Sequence, residues 1–232
     1  MNGLDELYQV LEVIENKKQD GDCSPIPIFS FEGLPGAGKT TQIKSVSQKM
    51  THEFGKSCYI DLPTKSSIGR LLKALYLSEE QWNNIRRLNP WLNPVMLSID
   101  LRMAVEEAVR EGAKYAFMSR GIISTYYYNL DAYGENEKTT WPVMENHMSA
   151  FYKPTAIVFI DVPEELAFER VVKRNRGPLR KMDQIDQMRQ DKGRFEKYLE
   201  RLPTIPVHHI DGQGKVEDIT NRIVEELKRY FA

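Results

Sequence analysis

Residues 31–41 read Phe31-Glu32-Gly33-Leu34-Pro35-Gly36-Ala37-Gly38-Lys39-Thr40-Thr41. The run just before them, Ile26–Phe31, is short and apolar and predicts a strand; the segment after them predicts a helix opening near Gly38. Glycine at 33, 36 and 38 lets backbone N–H groups turn inward as an anion nest, and the new helix adds the positive end of its dipole. Lys39 then falls where an ammonium reaches β- and γ-phosphates, and Thr40 where a hydroxyl ligates Mg²⁺. Strand, glycines, lysine, threonine and helix agree, so this is read as a phosphate-binding P-loop, with Gly33, Gly36, Ala37, Gly38, Lys39, Thr40 and Thr41 holding ATP and Thr40 the metal. The loop alone leaves a GTPase or motor open.

Outward from the loop, strand-like runs at Ser57–Leu62, Tyr115–Ser119, Ala156–Asp161 and Val207–Ile210 alternate with helical patterns. That alternation predicts an α/β chain: a three-layer P-loop fold whose mostly parallel five-stranded sheet has helices on both faces. The last helix shows one apolar stripe, Val216, Ile219, Ile223 and Leu227. At the other end, Leu4, Leu7, Leu11 and Ile14 predict an amphipathic helix over 4–16, followed by a linker. The chain thus divides into residues 1–25, helix and linker, and a kinase domain over 26–232. The first helix suits an added surface layer or a contact with a second copy.

The chain's 232 residues suit one such domain, and 41% hydrophobic with 28% charged residues suits a globular one. A net charge of −1 gives no global positive field for nucleic acid, so any basic patch is local. The two cysteines, Cys23 and Cys58, match no disulfide framework or metal motif. No apolar run is long enough to span a membrane, and Met1–Glu6 carry acids without a basic segment, so a cytoplasmic protein without a signal peptide is expected. Trp82, Trp91 and Trp141 are expected in cores or lid contacts, and His147, His208 and His209 have no partner visible in the sequence.

The residues after the loop resemble the thymidylate kinase family of nucleoside monophosphate kinases. The loop itself is close to that family's. Pro63 with Ser67-Ile68-Gly69 is similar to its proline-glycine segment, and Leu97-Ser98-Ile99-Asp100-Leu101-Arg102 to the helix carrying its base-contacting arginine. Ser119-Arg120-Gly121 through Asn129 is similar to its Asp-Arg-Tyr segment, and Ile160–Glu164 with the basic run to Lys181 to its passage into the lid. The resemblance covers about residues 26–232 and implies ATP-dependent phosphorylation of a nucleoside monophosphate; family members are often dimers. Several positions depart from the pattern. Ser119 stands for the family's Asp near Mg²⁺, Ser98 for its thymine-stacking ring, Gly121 for its Tyr or Phe, and Asn129 for its Gln. The acid beside the proline falls on Leu62, with Asp61 one position away. Ala37 occupies a loop position where some members carry arginine, so the lid must supply that charge.

On the acceptor side, charge neutralisation around a migrating phosphoryl group points to Arg120 at a strand end. It also points to the cluster Arg170, Lys173, Arg174, Arg176, Arg180 and Lys181 around Gly177-Pro178, a basic lid over about 170–185. Lys65 could hold an acceptor phosphate; Ser124, Tyr128 and Asn129 follow the family's substrate segment. Arg102 fits a base or phosphate contact and fits a helix-face salt bridge equally. Of Tyr126, Tyr127 and Tyr128, helical geometry lets one or two face a common pocket. The favoured acceptor is a pyrimidine deoxynucleoside monophosphate, a small molecule already ionised and needing no general base. Two rivals stay open. One is a kinase of a hydroxyl, on a nucleoside, a modified base in nucleic acid or another small molecule, with Asp61 as base. The other is a regulator that binds nucleotide without turnover.

Overall fold

The computed structural model describes residues 23–133, 141–142, 145–146, 151–175, 177–202 and 204–231. The helix expected over 4–16 lies outside them, as do Arg176 and His147. Five strands, β1 (Ile28–Glu32), β2 (Ser57–Asp61), β3 (Tyr115–Ser119), β4 (Ala156–Asp161) and β5 (Val207–Asp211), form one sheet. Their order is β2-β3-β1-β4-β5, and every pairing is parallel. The first strand begins two residues later than its apolar run. Pro27 has no N–H to give the ladder, although its carbonyl accepts from Ala116 N at 2.8 Å.

Parallel strands need crossovers, and helices supply them: α1 (Lys39–Phe54), α2 (Ser67–Leu77), α3 (Glu79–Leu88), α4 (Leu92–Arg110), α5 (Ile122–Asn129), α6 (Glu164–Arg174), α7 (Ile185–Glu200) and α8 (Val216–Lys228). β1 and β3 are buried along their whole length, as a sheet covered on both sides requires. The register shows which helices cover which face, because paired residues of parallel strands share a side. Phe29 and Phe31 lie with Ala156 and Val158. Phe29 packs against Tyr230 and Phe231, just past α8, and Phe231 stacks on Phe54 at the end of α1. The opposite face carries Ser30, Glu32 and Phe159, and Phe159 meets Phe195 of α7.

α1 and α8 are tied by polar contacts as well as packing. Gln42 donates to Val216 O at 3.3 Å and accepts from Thr220 Oγ1 at 2.8 Å. The stripe of α8 is buried at Ile219, Ile223 and Leu227, while Val216, in its first turn, stays 46% exposed. His208 has partners after all: Glu226 at 3.0 Å and the Tyr230 hydroxyl at 2.9 Å, which pin β5 to α8. They lie at the far end of the next helix and just past it, so adjacency in sequence could not reveal them.

A second, smaller core joins α2, α3 and α4 through Leu72, Trp82, Met96 and Leu97. Trp141 packs against Tyr126 and Tyr198, as a core tryptophan should. Trp91 does not: it precedes α4 at a surface turn and is 45% exposed. Among the described residues no helix is long and apolar enough to cross a membrane.

Candidate functional site

The connections of this sheet run to opposite sides of β1, so the crevice for a ligand lies at its carboxyl end. Residues 33–38 occupy that place. Gly33, Gly36 and Gly38 have φ of 133°, 85° and 97°, a region that suits glycine. Two also lie where a side chain has no room. A Cβ on Gly33 would meet Ile160 O at 2.5 Å, and one on Gly36 would meet Ala167 O at 2.2 Å. The loop is therefore seated directly against β4 and α6. Lys39 folds over it, donating to Gly33 O at 2.7 Å and Leu34 O at 2.9 Å.

Beneath the loop lies Glu32, fully buried. Its carboxylate accepts from Gly121 N at 2.8 Å and from Ser124 Oγ at 2.5 Å. Burial pushes its pKa up, against the pull of Ser124 and of the Lys39 ammonium. Burial also pushes Lys39 down to about 7, helped by repulsion from Arg120 and Arg174 and opposed by Glu32. Phosphate oxygens arriving at the loop must raise that value again. Nucleotide binding should therefore take up protons, up to about one per site, and ATP affinity should fall up to about tenfold per pH unit above 7. Titration calorimetry at pH 8 in buffers of different ionisation enthalpy checks this; a binding enthalpy independent of buffer contradicts it.

Arg120 follows β3 directly with φ 66°, uncommon for a non-glycine residue. Its N–H donates to Phe31 O at 3.2 Å, and its guanidinium lies 5.7 Å over the Tyr128 ring. Glycine suits the next position, because a Cβ at 121 would meet Ser30 Oγ at 2.1 Å and displace it. The family's ring at this position thus has no space here.

A cavity of about 580 Å³ opens over the loop. Its walls are residues 35–42, Tyr59 and Asp61 of β2, Ser119 at the end of β3 and Arg120 just after it, Arg170, Lys173 and Arg174 of α6, and Gly212, Gly214, Val216 and Ile219 beyond β5. A second cavity of about 330 Å³ lies beside it, lined by Gly177–Arg180, Asp183, Val171, Arg120 and Arg174. Arg120 and Arg174 belong to both walls. Arg170 donates to Gly212 O at 3.1 Å, and Arg180 pairs with the buried Asp183 at 2.8 Å. The first part of the expected lid is thus regular helix, and the turn follows Asn175, whose φ is 43°.

The structure brings Lys39, Thr40, Thr41, Asp61, Arg120 and Arg174 together around one cavity. It does not bring Lys65, Arg102, Ser124, Tyr128 or Asn129 to the described walls. Lys65 is exposed on the segment before α2. Arg102 is 1% exposed, with its guanidinium 4.0 Å over the Tyr152 ring. Asn129 bonds Thr125 O at 2.7 Å and accepts from Asn93 at 2.6 Å. Ser98 is fully buried, and its hydroxyl caps Pro94 O at 2.7 Å. The tyrosines part as helical geometry requires. Tyr126 meets Trp141, Tyr127 bonds Asp191, and Tyr128 lies beside Arg120.

Three groups escaped the sequence reading. Asp100 is fully buried and accepts from Thr64 N, Thr64 Oγ1 and Ser66 Oγ, fixing the turn into α2. An acid inside a largely apolar helix was its signal. Gly212 and Gly214 follow a strand's carboxyl end, as cavity residues do. Tyr59 gave no signal beyond its place on an alternating strand.

A parallel sheet in this order, a glycine loop on its first strand and a cationic cavity above define a P-loop phosphotransferase. The thymidylate kinase family profile matches residues 31–223, so the chain belongs to the thymidylate kinase family. It is 26% identical over 210 residues to a thymidylate kinase of Leptospira interrogans, covering 88% of this chain and 94% of the other. A thymidylate kinase of a Thermoanaerobacter strain is 25% identical over 207 residues, covering 88% and 98%. A probable thymidylate kinase of Sulfurisphaera tokodaii is 26% identical over 198 residues, covering 85% and 93%.

Proposed function

We propose that this chain transfers the γ-phosphoryl group of ATP, carried as its Mg²⁺ complex, to the phosphate of a pyrimidine deoxynucleoside monophosphate. The observation that carries the reading is the sharing of Arg120 and Arg174 by two adjoining cavities, one over the P-loop and one under the lid turn. Charge spread over a migrating phosphoryl group needs cations at the junction of donor and acceptor. Lys39 and the loop N–H groups bind the donor phosphates. The Thr40 hydroxyl, exposed at the first turn of α1 within the cavity, is a hard oxygen donor that suits Mg²⁺. The metal would supply charge neutralisation for the phosphates. Tyr128, beside Arg120, and Lys65 are the proposed acceptor contacts, with Ser124, Asn129 and Arg102 as further substrate-side candidates.

A small-molecule phosphate acceptor is already ionised, so positioning suffices. Arg174→Ala should lower kcat by about 10²-fold and leave ATP affinity within about threefold, because its clamp tightens in the transition state. Steady-state kinetics with a direct nucleotide-binding titration separate the two; a loss confined to ATP affinity would make Arg174 a donor-site residue only.

Asp61, on the wall of the donor cavity, favours one second reading, a hydroxyl acceptor with Asp61 as base. Asp61→Asn assayed at saturating Mg²⁺ decides. A phosphate acceptor predicts a kcat loss well below the roughly 10²–10⁴-fold that removal of a general base costs. A screen of monophosphates and nucleosides with ATP and Mg²⁺ should show turnover on a pyrimidine monophosphate. Thymidylate should be used more weakly than by family members with a stacking ring at position 98. Turnover of nucleosides alone, together with collapse of the Asp61→Asn protein, would replace the monophosphate assignment.

A further inference from the structure

Mg²⁺ bound with a nucleotide is a hard cation that retains several waters, and a carboxylate commonly holds it. At the end of β3, beside the loop strand, this chain carries Ser119, which has no charge to offer. The described walls of the donor cavity hold five cationic side chains, Lys39, Arg120, Arg170, Lys173 and Arg174, against one carboxylate, Asp61. The other acid nearby, Glu32, is fully buried beneath the loop and committed to Gly121 and Ser124.

Asp61 ends β2, one strand out from β3. The register makes Asp61 and Ser119 direct partners, so their side chains stand at one level and on one face of the sheet. Tyr59 lies two residues earlier on the same face. It lines the same cavity wall as Thr40 and Ser119. Thr40, Tyr59, Ser119 and Asp61 thus bring four side-chain oxygens to one cavity wall, with the single carboxylate on the outermost strand.

We propose that Asp61 is the carboxylate that holds the metal bound with the nucleotide, in place of an acid at position 119, with Thr40 as the hydroxyl ligand. The proposal rests on the donor-site reading above and is independent of the acceptor's identity. It gives the Asp61 carboxylate a positioning role toward the metal rather than a proton to abstract.

Mn²⁺ is the probe. Free Mn²⁺ is followed by electron paramagnetic resonance as it is titrated into the full chain with saturating ADP, and ADP affinity is measured separately in chelator. Asp61→Asn should weaken nucleotide-dependent Mn²⁺ binding about tenfold or more while leaving metal-free ADP affinity unchanged. Adding Ser119→Asp to that variant should restore Mn²⁺ affinity, since the new carboxylate stands one strand nearer the loop at the same level. That recovery also excludes a folding defect as the cause of the loss. Unaltered Mn²⁺ binding by the folded Asp61→Asn protein overturns the proposal, and so does a loss that Ser119→Asp does not repair. Absence of any nucleotide-dependent Mn²⁺ binding by the unaltered chain overturns the donor-site reading along with it.

Discussion

A Lys39→Ala protein will keep its fold and lose phosphoryl transfer by about 10²-fold or more. Lys39 is the one cation that lies on the loop itself, held by the carbonyls of Gly33 and Leu34. In the proposed reaction phosphate oxygens take the place of those carbonyls as its partners. Arg120 and Arg174 approach from just past β3 and from α6. Removing Lys39 also relieves its own burial cost, since its ammonium is held near 7 by burial. Melting by circular dichroism should therefore show a midpoint close to that of the unaltered chain. Near-normal turnover in a folded Lys39→Ala protein would remove the P-loop as the donor site.

The largest loss of stability is expected at Glu32. Its carboxylate accepts from Gly121 N–H and the Ser124 hydroxyl, and its charge faces Lys39. Glu32→Ala strands both donors in a site closed to water and leaves Lys39 without its counter-charge. Breaking such a buried arrangement from one side costs about 3–5 kcal/mol. Glu32→Gln keeps an acceptor for Gly121 and should cost less than half as much. Urea denaturation followed by tryptophan fluorescence would report both. If Glu32→Ala unfolds at the same urea concentration as the unaltered chain, the network under the loop contributes nothing net.

The parts of this architecture that could be read in the sequence were those set by local chemistry. All five strands were visible as short runs rich in apolar or β-branched residues, because a sheet covered on both faces buries its inner strands along their whole length, as in β1 and β3. The loop was visible because phosphate binding fixes residue types at fixed spacing. The strand order was not visible, since crossover helices of similar length permit several arrangements. Side-chain partners distant in sequence were hidden for the same reason: His208 with Glu226, Arg102 with Tyr152, Asp100 with Thr64. The expected substrate contacts show the limit most clearly. Ser124 and Asn129 are polar residues on a short helix, a pattern that suits a pocket. Here the helix buries them, one against Glu32 and the other against Asn93. A hydroxyl or amide is equally good at holding a neighbour and a ligand, so residue type alone could not separate the two uses.

The seat of Gly36 on the backbone of Ala167 carries a mechanical consequence. With no side chain between them, the loop that meets the donor phosphates and the helix that bears Lys173 and Arg174 touch main chain to main chain. Compression across such a contact is stiff. α6 therefore cannot press closer to the loop. The seat acts as a stop: it sets how near the arginine-bearing helix can lie to the phosphate loop.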